Sequence, residues 1–368
     1  MTWSRIKQFF GRGLGIDLGT VNTLIYSQGR GIVLNEPSAI AVNRFNGRII
    51  AVGREAMNLI GREPRDVVVH RPIENGVVAD YELVQQMLRA FLRRIVESRV
   101  ELWRFHHAVV GTSNSATDVE RQGVRDAVLH AGASHVWLVG EGVAAALGAG
   151  VLFDNPGAHL VVDIGGGTTN ISLVCSAGAI ISRSVSVAGL AIDRAIREYI
   201  RHEYKVLIGE RVAEAIKIKM ASALPYSEDH CIQVIGRSLN DKAPCELEIY
   251  SDELFFVLNQ PLQTIIESIK LALSEVPPDT LADMHETGIL LVGGGSLLRN
   301  LDVRLSHEIN LLVMRAERPL EAVALGVGYL LDHPSWLDRL QVSNNVPSWE
   351  FETEVDHAAR ASSAFGLQ

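Results

Sequence analysis

The stretch Val161-Val-Asp-Ile-Gly-Gly-Gly-Thr-Thr-Asn170 limits the possible folds more than any other part of the chain. A short apolar run carries one acid, Asp163, and then breaks into Gly165, Gly166 and Gly167, followed by Thr168 and Thr169. Apolar residues ahead of such a break suit a buried strand. Three successive glycines suit neither a strand nor a helix interior. They make a turn that tolerates positive φ and lets another group approach the backbone. Without Cβ atoms, neighbouring N–H groups can line one concavity and hold an anion. Thr168 adds a hydroxyl, and Asp163 adds a fixed charge able to hold Mg2+ through water. Taken alone, the stretch fits a ligand-free β-hairpin equally well.

Recurrence breaks that tie. Leu14-Gly-Ile-Asp-Leu-Gly-Thr-Val-Asn-Thr-Leu-Ile-Tyr26 shows the same order: apolar, Asp, apolar, Gly, Thr. Near the other end, Ile289-Leu-Leu-Val-Gly-Gly-Gly-Ser296 places a third glycine turn after an apolar strand. Two matched acid-glycine hairpins and a third turn point to a nucleotide held between two related α/β halves.

The chain has 368 residues, enough for two domains with substantial cores. With 34 Lys and Arg against 43 Asp and Glu, its net charge of −9 argues against bulk electrostatic binding of nucleic acid. Cys175, Cys231 and Cys245 are far apart, show no metal spacing and suit a reducing compartment. No apolar run reaches the roughly 18 residues of a spanning helix. Arg5, Lys7 and Gln8 interrupt what would be a signal-peptide core, so a cytoplasmic location is expected.

Residues 1–13 hold no acid, and a helical wheel gathers Trp3, Ile6, Phe9 and Phe10 in one arc flanked by Arg5, Lys7 and Arg12. Such a helix suits the inner membrane interface, although packing on the protein's own core would use the same face. Glu101-Leu-Trp-Arg-Phe105 reads as a loop offering a second membrane contact or buried packing. Strands are expected over 32–42 and 48–52, and helices over 81–96, 118–131 (capped by Thr117), 143–150, 253–273 and 321–331. Pro261 is expected near the start of the long helix. Asp154-Asn-Pro-Gly157 is the clearest break. The chain thus divides into an amphipathic helix (1–13), a first α/β domain (14–157), a second (158–332) whose last helix is expected to pack back on the first, and a flexible tail (333–368).

Phosphoryl transfer needs charge neutralisation, positioning and a placed water more than covalent help. Gly19, Thr20, Val21 and Asn22 from one hairpin, and Gly165, Gly166, Gly167 and Thr168 from the other, would surround the phosphates. Asp17 and Asp163 would serve a magnesium ion through its waters. Glu141 follows a strand and opens a helix, so it could orient the attacking water with help from Thr168; a first-turn acid favoured by the helix dipole reads the same way. Glu214 and Lys217 share a helix face, fitting a nucleoside contact or a solvated ion pair. Gly293, Gly294, Gly295 and Ser296 offer a flat surface for a base.

These motifs resemble those of the bacterial actin-like ATPase family, and within it the rod-shape branch typified by MreB. The resemblance is carried by Asp17-Leu-Gly-Thr with Asn22-Thr23, Asp163-Ile-Gly-Gly-Gly-Thr-Thr, Ala213-Glu-Ala-Ile-Lys217 and Gly293-Gly-Gly, with Asn35-Glu-Pro-Ser38 and Ala116-Thr-Asp-Val-Glu-Arg121 besides. It runs from about Leu14 to Asp332. It implies an actin-like fold, duplicated α/β domains around a nucleotide cleft, each with a smaller subdomain. It also implies ATP and Mg2+ as cofactors, and a slow ATPase whose hydrolysis regulates polymerisation. The implied partners are further copies of the chain in antiparallel double protofilaments, the inner face of the cytoplasmic membrane, and the cell-wall elongation machinery. Through it, Ala213, Glu214, Ile216 and Lys217 are expected at the nucleoside, and Glu141 and Thr168 at the hydrolytic water. The chain departs from the pattern at Gly142 (usually Pro), Asn170 (usually Glu), Leu190 (an acid), Arg318 (an acid) and Leu325 (Arg), and by its longer tail. A hydrolysis-deficient scaffold paralogue therefore stays open beside a working ATPase, as does, more distantly, a metabolic kinase of the same fold. A chaperone of this fold would need a C-terminal substrate domain.

Overall fold

Two sheets built on the same plan face each other across a layer of small-residue helices. The protein is described by a computed structural model over residues 13–95, 105–113, 116–151, 157–175, 178–228 and 230–340. Trp3, Ile6, Phe9, Phe10, Leu102, Trp103, most of the 154–157 break and the tail beyond 340 lie outside the described residues.

The first lobe begins with β1 (Leu14–Leu18), β2 (Asn22–Ser27) and β3 (Gly31–Pro37). A small three-stranded insertion follows: β4 (Ile40–Asn43), β5 (Ile49–Val52), helix α1 (Arg54–Leu59) and β6 (Val67–His70). After a short hairpin, β7 (Ile73–Glu74) and β8 (Val77–Val78), come α2 (Tyr81–Ile95), β9 (Phe105–Thr112), α3 (Asp118–Ala131), β10 (Ala133–Gly140) and α4 (Glu141–Gly148). The second lobe restarts the pattern with β11 (His159–Ile164), β12 (Thr169–Cys175), β13 (Gly178–Val185) and α5 (Gly189–Glu203). Its own insertion holds β14 (Val206–Leu207), α6 (Glu210–Met220), β15 (Cys231–Ser238) and β16 (Pro244–Tyr250). The chain continues through α7 (Ser251–Ser274), α8 (Pro278–Thr287), β17 (Ile289–Val292), α9 (Leu301–Ile309), β18 (Val313–Arg315), α10 (Ala322–Asp332) and α11 (Leu337–Leu340).

The main sheets are ordered β3-β2-β1-β9-β10 and β13-β12-β11-β17-β18. In each, a hairpin of three antiparallel strands is extended by two parallel ones. The two acids hold equivalent places: Asp17 lies opposite Leu24 and Gly111, and Asp163 opposite Asn170 and Val292. This correspondence is the duplication that the two hairpins imply.

Local sequence accounts for most boundaries. A capping box starts α3, with Glu120 N–H donating to Thr117 Oγ1 at 3.3 Å and Thr117 N–H donating to Glu120 Oε2 at 2.7 Å. The expected strand over 32–42 is two strands, because the chain turns at Ser38 and passes from the main sheet to the insertion. The strand expected from Ala108 starts earlier, at Phe105. Pro261 lies in the middle of α7 rather than near its start, since that helix begins at Ser251. Residues 334–340 do not follow the tail expectation. Leu337 and Leu340 are buried with Leu330 and Leu331 in the central core, and this anchors α11.

Each lobe has its own apolar core, and a third core lies between the sheets around α4 and α10. There Val143, Ala144 and Ala146 of α4 and Val323, Val327 and Leu330 of α10 meet Val109 and Val139 of one sheet and Val161, Val174 and Val292 of the other. The helices cross where Gly148 faces the Ala322 carbonyl and Gly326 faces the Ala144 carbonyl; a Cβ at either site would overlap backbone. Backbone cannot rotate aside as a side chain can, so the penalty should exceed the ~1–3 kcal/mol of ordinary overpacking. Gly148→Val is therefore expected to lower the thermal midpoint by about 5 °C or more. Circular dichroism melting checks this, and an unchanged midpoint would show that the helices can separate freely.

Candidate functional site

The glycine turns meet at the base of a cleft of about 510 Å3 between the lobes. Asp17, Gly19, Thr20, Val21 and Asn22 line it from the first lobe, and Asp163, Gly165, Gly166, Gly167 and Thr168 from the second. The turns are in contact: a Cβ on Gly166 would overlap the Val21 side chain, and one on Gly167 would lie 2.7 Å from Thr20 Oγ1. Glycine is thus needed for the approach of one lobe to the other. Ser38 Oγ donates to the Gly19 carbonyl at 2.6 Å, and Gly76 N–H donates to Thr20 Oγ1 at 2.9 Å, which ties the first turn to its surroundings. The third turn closes from the side. Gly293, at φ 79°, abuts Asp163 Oδ1 and the Ile164 carbonyl so closely that no Cβ fits.

Glu141, the first residue of α4, reaches the same cleft and is buried. Its Oε2 accepts a hydrogen bond from Asn170 Nδ2 at 2.7 Å, and Asn170 Oδ1 accepts one from Ser113 Oγ at 3.2 Å. Three carboxyls thus line one cleft, Asp163 and Glu141 buried and Asp17 half-buried. Burial, reinforced by the charge of Asp163, pushes Asp17 up to about 7. Burial alone pushes Asp163 up to about 6. Glu141 is held well above the usual carboxylate range by burial and by both aspartates, with the Asn170 hydrogen bond acting in the opposite direction. Acids so arranged favour a cation brought in with a ligand. Among the described residues, no three His, Cys, Asp or Glu side chains converge as a metal cage. The donor set therefore fits Mg2+ held through its waters rather than a cation bound directly by protein.

The far end of the cleft is flatter and less acidic. Gly294, Gly295, Leu297 and Leu298 form one wall, and the Arg299 guanidinium lies 4.8 Å from the Tyr226 ring centre beside it. Glu214 and Lys217 line this region, but they are not paired with each other. Lys217 Nζ lies 2.9 Å from both oxygens of Asp193 and donates to the Gly189 carbonyl at 3.2 Å, joining α6 to α5. At the cleft mouth Arg71 of the first lobe meets Glu210 of the second at 2.9 Å. This partly exposed pair contributes about 0–1 kcal/mol.

Three expected site residues do not line the cleft. Ala213 and Ile216 do not line it and are buried in the second lobe's core. Ser296 is buried, and its hydroxyl donates to the Gly293 carbonyl at 2.6 Å, closing the third turn. Conversely, Asn170, Gly76, Leu190, Asp193, Tyr226 and Arg299 line the cleft without belonging to any of the glycine turns. Asn170 alone among them directly follows one of the motifs, and its side chain had no assignable partner until Glu141 came into reach.

The family model described as MreB/Mbl protein matches residues 11–339. The chain belongs to the MreB/Mbl family. It is 38% identical to the cell shape-determining protein Mbl of Bacillus subtilis (strain 168), over 91% of this chain and all of that one. It is 40% identical to the cell shape-determining protein MreB of Escherichia coli (strain K12), over 89% and 95% of the two chains. Among solved structures, MreB5 of Spiroplasma citri bound to ADP superposes with a TM-score of 0.83 at 32% identity, covering 89% of this chain and 98% of that one. A MamK double helical filament shares the fold, with a TM-score of 0.74 at 20% identity over 87% and 98%. The MreB/Mbl chain described here has the actin-like fold, with duplicated α/β lobes around the cleft.

Proposed function

We propose that this chain is an ATP-binding actin homologue that forms membrane-associated filaments, organises cell-wall synthesis and determines cell shape. The observation that carries the reading is the facing pair of glycine turns over three carboxyls, Asp163 and Glu141 buried and Asp17 half-buried. Anion-holding backbone and charge-hungry acids stand side by side, as a magnesium-bound triphosphate requires. The ADP and AMPPNP bound to the related MreB5 structures support the same reading.

In this reading the backbone of Gly19–Asn22 and Gly165–Thr168 cradles the phosphates, while Asp17 and Asp163 hold the water shell of Mg2+, which supplies charge neutralisation. Glu214 and Lys217 face the nucleoside, and Gly293–Gly295 face the base. Glu141 accepts a hydrogen bond from the attacking water, and Thr168 limits where that water sits. Seating both lobes on one ligand fixes their relative angle. Head-to-tail contacts between copies with that angle fixed do not close, and so build filaments, here in antiparallel pairs. Residues 1–13 supply the membrane contact through Trp3, Ile6, Phe9 and Phe10. A second reading, a filament scaffold that holds ATP but barely splits it, draws on the raised Glu141 carboxyl, because a protonated acid cannot take a proton from water.

Sedimentation tests the proposal. The full chain is expected to pellet with Mg-ATP and to co-pellet with anionic liposomes. The chain lacking residues 1–13 should keep the first behaviour and lose the second. Failure to polymerise with any nucleotide would remove the cytoskeletal role, and unchanged liposome binding would move the membrane contact elsewhere.

A further inference from the structure

We infer that Asn170 is a positioning residue that clamps Glu141 between the two lobes and so sets the rate of ATP hydrolysis. The inference rests on the nucleotide reading above and deepens it. Asn170 follows the second glycine turn on β12, directly across the strand pair from Asp163. Its side chain is buried and fully engaged. Nδ2 donates 2.7 Å to Glu141 Oε2, and Oδ1 accepts from Ser113 Oγ at 3.2 Å. The contact with an ionised Glu141 fixes which end of the amide faces which partner, since only the nitrogen can donate to a carboxylate, and the Ser113 hydroxyl can serve either end.

Three elements meet in this clamp. Ser113 follows β9 and Glu141 opens α4, both in the first lobe, while Asn170 belongs to the second. A flexible carboxylate is therefore held in one orientation by a group that reaches it only across the lobe boundary. One Glu141 oxygen is occupied by Asn170, which leaves the other to face the cleft. A glutamate at position 170, the residue expected from the family resemblance, could make this contact only while protonated. The amide makes it at every pH and adds no fourth charge to the three carboxyls already present. The contact is also charge-assisted and buried, the kind whose geometry is held most tightly.

The test is a double-mutant cycle on the full chain. Asn170→Ala is expected to lower kcat for phosphate release by about 10-fold or more, because a nearby but misplaced catalytic group loses most of its advantage. KM for ATP should stay within about 2-fold, as should the affinity for a fluorescent ATP analogue, because Asn170 acts in this reading through Glu141 and not on the nucleotide. In a Glu141→Gln background the same change should cost less than about 2-fold, because nothing remains to be positioned. Should Asn170→Ala fold poorly, Asn170→Leu keeps the branched side-chain shape and removes both the donor to Glu141 and the acceptor from Ser113. The inference is overturned if either variant hydrolyses at the parental rate, or if its loss persists undiminished beside Glu141→Gln. A parental chain that binds no ATP overturns the nucleotide reading itself and the clamp with it. A chain that binds ATP but releases no phosphate overturns the clamp alone.

Discussion

Glu141→Gln is expected to cut phosphate release at least about 100-fold while leaving ATP binding and polymerisation intact. The expectation follows from where the side chain sits. Glu141 is the first residue of α4, buried at the base of the cleft, with one oxygen held by Asn170. Glutamine keeps the shape and still offers Asn170 an oxygen, so packing is undisturbed, but it cannot accept a proton. The pH dependence has a definite sign. Burial and the neighbouring aspartates hold Glu141 well above the ordinary carboxylate range, so the group gains its charge only as the pH rises. Asp17, at about 7, and Asp163, at about 6, ionise along the same ascending limb. Activity should therefore be higher at pH 8 than at pH 6 in the parental chain, and this slope should flatten in Glu141→Gln. Single-turnover phosphate release at a series of pH values reads both effects. A variant with the parental rate would show that Glu141 takes no part.

Much of this arrangement is legible in the chain because the decisive residues are consecutive. Asp17-Leu-Gly-Thr20 and Asp163-Ile-Gly-Gly-Gly-Thr168 each combine strand, turn and ligand group in one stretch, so local pattern suffices to place them. The helix Val143–Gly150 is similarly legible. Its run of alanine and glycine has no use except close packing, and α4 does cross α10 at Gly148 and Gly326. What escapes local reading depends on distant partners. Ala213 and Ile216 belong to the same motif as Glu214 and Lys217, but their apolar side chains are buried in the core while the charged ones reach the cleft. A motif names a stretch of chain; only the face names the contact. Lys217 finds Asp193, 24 residues away, rather than Glu214 on its own helix. The link from Asn170 to Glu141 spans 29 residues and two lobes, and that from Asn170 to Ser113 spans 57. The helix at 337–340 is visible only once the core it covers is known, because a four-residue element carries too little periodicity to announce itself.

Asp17→Asn is expected to stabilise the nucleotide-free protein at pH 8 and to abolish most of the stabilisation that Mg-ATP gives the parental chain. Asp17 has a folded-state pKa of about 7, raised from an ordinary value near 3.8 by burial and by Asp163. Between those values the folded chain binds more protons at this site than the unfolded chain does. Stability therefore falls as the pH rises through the window, and the full cost is reached above the folded value. At about 1.4 kcal/mol per pH unit, the rise from 3.8 to about 7 means that the charge costs the nucleotide-free protein on the order of 4 kcal/mol at pH 8. Asparagine removes that charge at constant volume. The variant without nucleotide should thus melt higher than the parental chain at pH 8, by roughly 5 °C, with little difference near pH 4. Saturating Mg-ATP acts the other way. At a concentration about 100-fold above its Kd, a ligand stabilises the protein that binds it by about 2.7 kcal/mol. The parental chain should gain this stabilisation, whereas the variant, lacking one of the two acids proposed to hold the metal's water shell, should gain little. Differential scanning fluorimetry at pH 4, 6 and 8, with and without Mg-ATP, follows both effects directly. If the variant without nucleotide is destabilised at pH 8, Asp17 is not the strained acid that its burial implies. If Mg-ATP stabilises the variant as strongly as the parental chain, Asp17 has no part in holding the metal. Either result leaves the fold in place and moves the origin of its nucleotide dependence to the Asp163 side of the cleft.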